Sequence, residues 1–169
     1  MQSNFEQCFA LVLKNEGGYV DNPADPGGAT NLGCTKAVWE QYIGRSVTKD
    51  DIKALTPNDV MPLYKVKYWD TIKGDDLPKG VDYAVFDFAI NSGPSRAAKA
   101  LQSVLSVTVD GQIGSATLRA LETANPREVA TAVCEVRLAF LQSLPTYGTF
   151  GKGWSRRVVE VEQTAFNMV

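Results

Sequence analysis

An apolar stripe at helical spacing runs straight into a carboxylate and two glycines near the start of this chain. Phe5, Cys8, Phe9, Val12 and Leu13 fall at i, i+3, i+4, i+7 and i+8, and Glu16-Gly17-Gly18-Tyr19 follows. The spacing predicts an amphipathic helix with one buried face. Ser3-Asn4-Phe5-Glu6 has capping-box spacing at its start, and the glycine pair supplies a stop. Glu16 comes four residues after Val12 and seven after Phe9, so it prolongs the buried stripe. An acid so placed loses water and meets the negative end of the helix dipole, and both effects favour its neutral form. A carboxyl that keeps its proton near neutral pH is what a general acid needs.

A lone glutamate before glycines is ordinarily a solvated helix-end residue. The company of Glu16 argues otherwise. Two glycine pairs, two prolines and a threonine within fifteen residues make a tight connection, or a hairpin, that approaches something closely. Asp21, Asn22 and Asp25 are each common turn residues, and each alone reads as structural. The chain has no histidine, which removes Ser-His-Asp and Cys-His nucleophile systems and His-containing zinc sites. Three widely separated cysteines are a poor substitute, so neither a metal nor a cofactor is expected. Carboxylate chemistry remains, beside a Ser-Lys alternative for which no Ser-x-x-Lys stands in a convincing context.

Residues 16–35, Glu-Gly-Gly-Tyr-Val-Asp-Asn-Pro-Ala-Asp-Pro-Gly-Gly-Ala-Thr-Asn-Leu-Gly-Cys-Thr, resemble the signature of the N-acetylmuramidases of glycoside hydrolase family 108, found in phages and bacteria. The order Glu, Asp, Thr is also similar to the triad of phage-type lysozymes, in which a helix leads into a small β-hairpin. The resemblance implies Glu16 as acid, Asp25 as second carboxylate and Thr30 as hydroxyl partner. The Asp-to-Thr spacing is one residue shorter than in the phage-lysozyme pattern, and Cys34 stands where an aliphatic residue is expected. A second stretch resembles the helical peptidoglycan-binding segment that follows this motif in the family. It comprises Phe86 to Pro94, Ala98 to Leu105, and Val109-Asp110-Gly111-Gln112-Ile113-Gly114.

The implied fold is mainly α (α+β), lysozyme-like, a helical bundle with a small β-hairpin near the N-terminus. Residues 1–75 would form the muramidase lobe and residues 76–169 the helical lobe, in one compact domain with a cleft between hairpin and helices. At 169 residues the chain is long enough to bury a sizeable core. Capping signals place helix starts at Thr35, Thr48, Thr56-Pro57, Pro78, Ser95 and Asn125, with a last helix over about residues 155–166. The helix after Thr56 is expected to turn Val60, Leu63, Tyr64, Tyr68 and Ile72 inward. Trp69, facing away from that stripe, then becomes a candidate sugar platform. Tyr19, beside Glu16, is the other aromatic expected at the site. Asn91 and Ser92, at a helix end, are candidates to bond an N-acetyl group, with C-capping as their structural alternative. Asp87 is the next carboxylate to consider after Glu16 and Asp25.

Net charge of −2 argues against nucleic-acid binding. Attraction to an anionic wall must then be local, with Lys152, Arg156 and Arg157 as candidates. No segment reaches the roughly 18 apolar residues of a membrane span, and no signal peptide is evident. The three cysteines read as buried free thiols.

The resemblance thus implies a monomeric muramidase that takes peptidoglycan as its partner, with no stable membrane insertion. Endolysin-like, it would stay in the host cytoplasm until released to the wall. It would hydrolyse the β-1,4 bond between N-acetylmuramic acid and N-acetylglucosamine, with inversion. A lytic transglycosylase that needs only Glu16 and a non-catalytic wall-binding or structural module of a phage particle are the alternatives.

Overall fold

Two compact units share the chain: Glu6–Lys67 forms one, and the segment through Phe5 joins Tyr68–Val169 in the other. The computed structural model describes residues 3–24 and 28–169.

In the smaller unit the expected elements appear in order. Helix α1, Phe5–Asn15, buries Cys8, Phe9 and Val12, leaving Leu13 only half-covered. Strands β1, Thr30–Asn31, and β2, Cys34–Thr35, form an antiparallel hairpin. Helices α2, Lys36–Ile43, α3, Lys49–Lys53, and α4, Pro57–Tyr64, follow. Thr35 accepts a hydrogen bond from the Val38 N–H at the start of α2, while Thr48 with Asp51 and Thr56 with Asp59 close reciprocal capping boxes. Ala29, Val47 and Ile52 make a small core, flanked by Tyr19, Trp39, Ile43 and Leu55.

After α4 the helix changes pitch. Lys65–Trp69 is a π-helical turn, which takes one residue more than an α-turn. The extra residue moves the inward position from Tyr68, now half-buried, to Trp69, which has no exposed surface. The Trp69 ring meets Phe5 and Phe86 edge-on, at centroid distances of 5.4 and 5.2 Å, and its indole N–H donates to Asp75 at 2.9 Å. It also lies flat on Gly74, where no Cβ would fit. Trp69 is therefore a core residue, and the expectation that it meets sugar is corrected.

The larger unit is built on α5, Val81–Ser92, buried on every side from Val81 to Ala89. It packs against α6, Pro94–Val104, α8, Pro126–Gln142, and α9, Tyr147–Met168. Helix α7, Ser115–Glu122, lies between α6 and α8 in the chain, unannounced by any strong cap: Gly114 precedes it. Helix α9 begins eight residues before its expected start despite glycines at 148, 151 and 153.

Inside this unit the Asp87 carboxylate accepts from Arg137 at 2.6 Å and from Arg157 at 2.9 and 3.2 Å, with no exposed surface of its own. Burial pushes this carboxyl upward, but the two guanidinium charges outweigh it and hold it below the ordinary 3.8. A group so held is no proton donor, which removes Asp87 from the list of candidate acids. The pair also explains why α8 turns Arg137 inward while its apolar neighbour Val136 stays exposed.

Asp82 responds to burial in the opposite sense. Desolvation pushes it up to about 6, against hydrogen bonds from Asn4, Tyr83 and Gly80 and the charge of Lys79. Its native value lies above its ordinary one, so the unfolded chain ionises first and this group withdraws stability as pH rises between the two.

Replacing Asp87 by Asn should leave the buried Arg137 without its carboxylate and destabilise the fold by about 3–5 kcal/mol at pH 7. Native stability owed to this carboxylate is present above its ordinary value and lost as pH falls below about 3.8. Urea denaturation of both proteins at pH 7 and pH 3 should show the difference shrinking at the lower pH.

Candidate active site

Glu16 follows the last residue of α1 and keeps its helical bond, N–H to the Val12 carbonyl at 3.2 Å. Its side chain is half-buried, as the stripe predicts. What it faces was not predicted. The hairpin turns through Leu32 and Gly33, both in the left-handed region at φ 53° and 73°. Two positive values make a type I′ turn, whose twist suits a two-residue hairpin. Gly33 lies directly against the Glu16 carboxyl. A Cβ there would stand 2.6 Å from the Tyr64 hydroxyl oxygen and 2.9 Å from Oε2 of Glu16. Glycine is thus required for close approach as well as for backbone angle.

Two side chains brace the hairpin. The Tyr64 hydroxyl donates to the Leu32 carbonyl at 2.7 Å, its ring held edge-on by Phe9 at 5.4 Å. That bond supports a leucine in a conformation leucine avoids. Asn31 is buried and donates its amide to the carbonyls of Ile52, Lys53 and Leu55, fastening β1 to the end of α3. Cys34 is buried in β2, and burial pushes its thiol up to about 11 despite the nearby Lys67 charge. With Cys8 and Cys134 also free and buried, the thiol expectation is met.

Thr30 starts β1 opposite Thr35 and exchanges two 2.8 Å backbone bonds with Val20. The residue run after Glu16 is therefore stitched to the strand that carries Thr30. Tyr19 is half-buried on the Ala29–Val47–Ile52 core, with the Lys53 ammonium 5.7 Å from its ring centroid. Asp25 lies outside the described residues. Asp21, the other acid of the connection, pairs with Lys49 at 3.0 Å.

Asn91 and Ser92 belong to the other unit, at the C-terminal end of α5. Asn91 is exposed, and the helix is capped by the Gly93 N–H bonding the Ala89 carbonyl. The capping alternative for these two side chains is thus filled by backbone. Of the basic cluster near the C-terminus, Arg157 turns inward to Asp87, while Lys152 and Arg156 stay exposed. Among the described residues no group of three or more His, Cys, Asp or Glu converges as a metal site. None of the described helices is long and apolar enough to cross a membrane.

The structure thus brings Glu16, Gly33 and Tyr64 together, with Thr30 on the same hairpin. Tyr64 had a sequence signal, its place on the α4 stripe, but that signal spoke only of burial.

A half-buried carboxyl thus lies against a glycine turn in a mainly α, lysozyme-like fold with a small hairpin. The model of the Glycosyl hydrolase 108 family matches residues 9–93, and a Predicted Peptidoglycan domain matches residues 96–159. The structure of Brucella abortus SagA superposes with a TM-score of 0.88 at 47% identity, covering 98% of this chain and 95% of that one. No curated protein matches the chain. The chain belongs to glycosyl hydrolase family 108. It is accordingly a glycoside hydrolase that acts on peptidoglycan, its second half carrying a peptidoglycan domain.

Gly33→Ala should force a Cβ into both Glu16 and Tyr64 and place alanine at a left-handed angle, at a loss of about 1–3 kcal/mol. Tyr64→Phe should cost about 1 kcal/mol through the unpaired Leu32 carbonyl. Urea midpoints for the two single variants check both values.

Proposed function

We propose that the chain is a muramidase, cleaving the β-1,4 bond between N-acetylmuramic acid and N-acetylglucosamine with Glu16 as general acid. The observation that carries this reading is the seating of Glu16, whose carboxyl is partly withdrawn from water at a helix end and backed by the Gly33 backbone and the Tyr64 hydroxyl. A carboxyl in that setting is restrained in position while one side stays accessible, as proton delivery to a glycosidic oxygen requires.

In this mechanism Glu16 gives its proton to the leaving oxygen as the bond to the anomeric carbon lengthens. Asp25, together with Thr30, holds a water and takes its proton as that water attacks the opposite face of the ring. The product is a reducing N-acetylmuramic acid of inverted configuration. Such a route needs the two carboxyls about 6.5–9.5 Å apart, against about 5 Å for a covalent retaining route. Tyr19, Asn91 and Ser92 complete the proposal as substrate contacts.

Glu16→Gln keeps the shape and hydrogen-bonding reach of the side chain but removes the proton. It should leave the thermal midpoint within a degree or two and reduce release of fragments from sacculi by about 10²–10⁴-fold. Lysis near the wild-type rate by a folded Gln variant would end the assignment of Glu16.

Mass spectrometry of a wild-type digest should show hydrated reducing ends at muramic acid. Fragments that carry only 1,6-anhydro ends, each lighter by one water, would reassign the chain as a lytic transglycosylase. Asp25→Asn separates the two as well, since only the hydrolytic route needs a water-activating base.

A further inference from the structure

The first turns of α9 combine three glycines with three aromatic rings in Tyr147-Gly-Thr-Phe150-Gly-Lys152-Gly-Trp154. A glycine inside a helix costs about 1 kcal/mol relative to alanine. Gly151 has a packing reason, because a Cβ there would stand 2.7 Å from the Tyr147 ring. Gly148 and Gly153 have none: a Cβ at either position meets nothing within 4 Å. Two stretches of helix surface are thus kept bare at the expense of helix stability.

The aromatic rings around them are ordered against one another. Phe150 is 54% exposed and stacks on Trp154, with ring centroids 5.7 Å apart and planes 29° from parallel. Tyr147 lies 6.4 Å from the same Trp154, its hydroxyl bonded to that of Ser155 at 3.0 Å. Beside them opens a hollow of about 510 Å³, lined by Tyr147, Gly148, Gly151, Lys152, Ser155 and Arg156. Lys152 and Arg156 are one helical turn apart and exposed, and among the described residues no acid pairs with either. An exposed Phe150 ring stacked on the half-buried Trp154 beside two uncommitted cations is a poor surface to leave in water. It suits a ligand that is apolar on ring faces and anionic at its edges.

We infer that this face of α9 is a docking site for peptidoglycan strands, additional to the surroundings of Glu16. Phe150 and Trp154 take the apolar faces of the amino sugars, the bare backbone at Gly148 lets the strand lie close, and Lys152 and Arg156 meet stem-peptide carboxylates. Charge requires such a local device, since the chain carries a net −2 and the wall is itself anionic. The peptidoglycan-domain match, residues 96–159, includes all of these side chains. The inference rests on peptidoglycan as the partner and is independent of which bond is cut.

The test uses the full chain and sedimentation with purified sacculi stripped of teichoic acids, at 4 °C to suppress digestion. Lys152→Glu/Arg156→Glu should weaken binding about tenfold, and Phe150→Ser several-fold. Both should cleave short soluble muropeptide oligomers at the wild-type rate, which also reports that they are folded. Undiminished sacculus binding by both variants would overturn the inference, as would wild-type binding confined to walls that retain phosphate polymers. A wild-type protein that binds through these residues yet cuts no glycan would overturn the muramidase reading and leave this one standing.

Discussion

A charged carboxylate with no exposed surface survives in a helical core only if cations are buried with it. Asp87 does so by drawing one guanidinium from α8 and another from α9 onto α5. These contacts set the register of three helices at once, and they let α5 be apolar around nearly its whole circumference without losing orientation. They also decide what this unit does not offer. The carboxylate is no proton source, and Arg157 is withdrawn from the surface that Lys152 and Arg156 still present.

The smaller unit solves a different problem, that of seating one carboxyl firmly with very little sheet. Two-residue strands cannot hold a turn by themselves. The hairpin is held instead by side-chain bonds to its surroundings: its own Asn31 amide reaching the carbonyl end of α3, and the Tyr64 hydroxyl of α4 reaching Leu32. Gly33 then gives Glu16 a backdrop of main chain, which has no rotamers to change.

Helix α1, the caps at Thr35, Thr48 and Thr56, and the hairpin were readable because each rests on local chemistry: periodicity, an N-terminal hydroxyl, a glycine where the chain turns back. Family membership was equally readable in the long run from Glu16 to Thr35. What escaped was set by contacts distant in sequence. The π-turn at Lys65–Trp69 shifts the helix face by one residue, and nothing in a 3.6-residue pattern announces it. That single shift exchanged the fates of Tyr68 and Trp69. Burial of Arg137 was invisible because its partner lies fifty residues earlier on α5. The early start of α9 ran against its glycines, whose low helix propensity the surrounding fold overrides. The second demand on Gly33, beyond its backbone angle, comes from the position of Glu16 rather than from its neighbours in sequence.

Bonds that span long separations also impose a timetable on a chain made from its N-terminus. Leu32 adopts an unfavourable angle in company with a hydroxyl that is synthesised 32 residues later. Asn4, at the foot of α1, bonds an aspartate that follows it by 78. While the chain is still being made, then, the stripe of α1 has no settled place, and Glu16 stands at the end of a helix with nothing behind it. Helix α1 is made well before the residues that fasten it, and a nascent chain too short to reach Tyr64 lacks the completed seat for its own carboxyl.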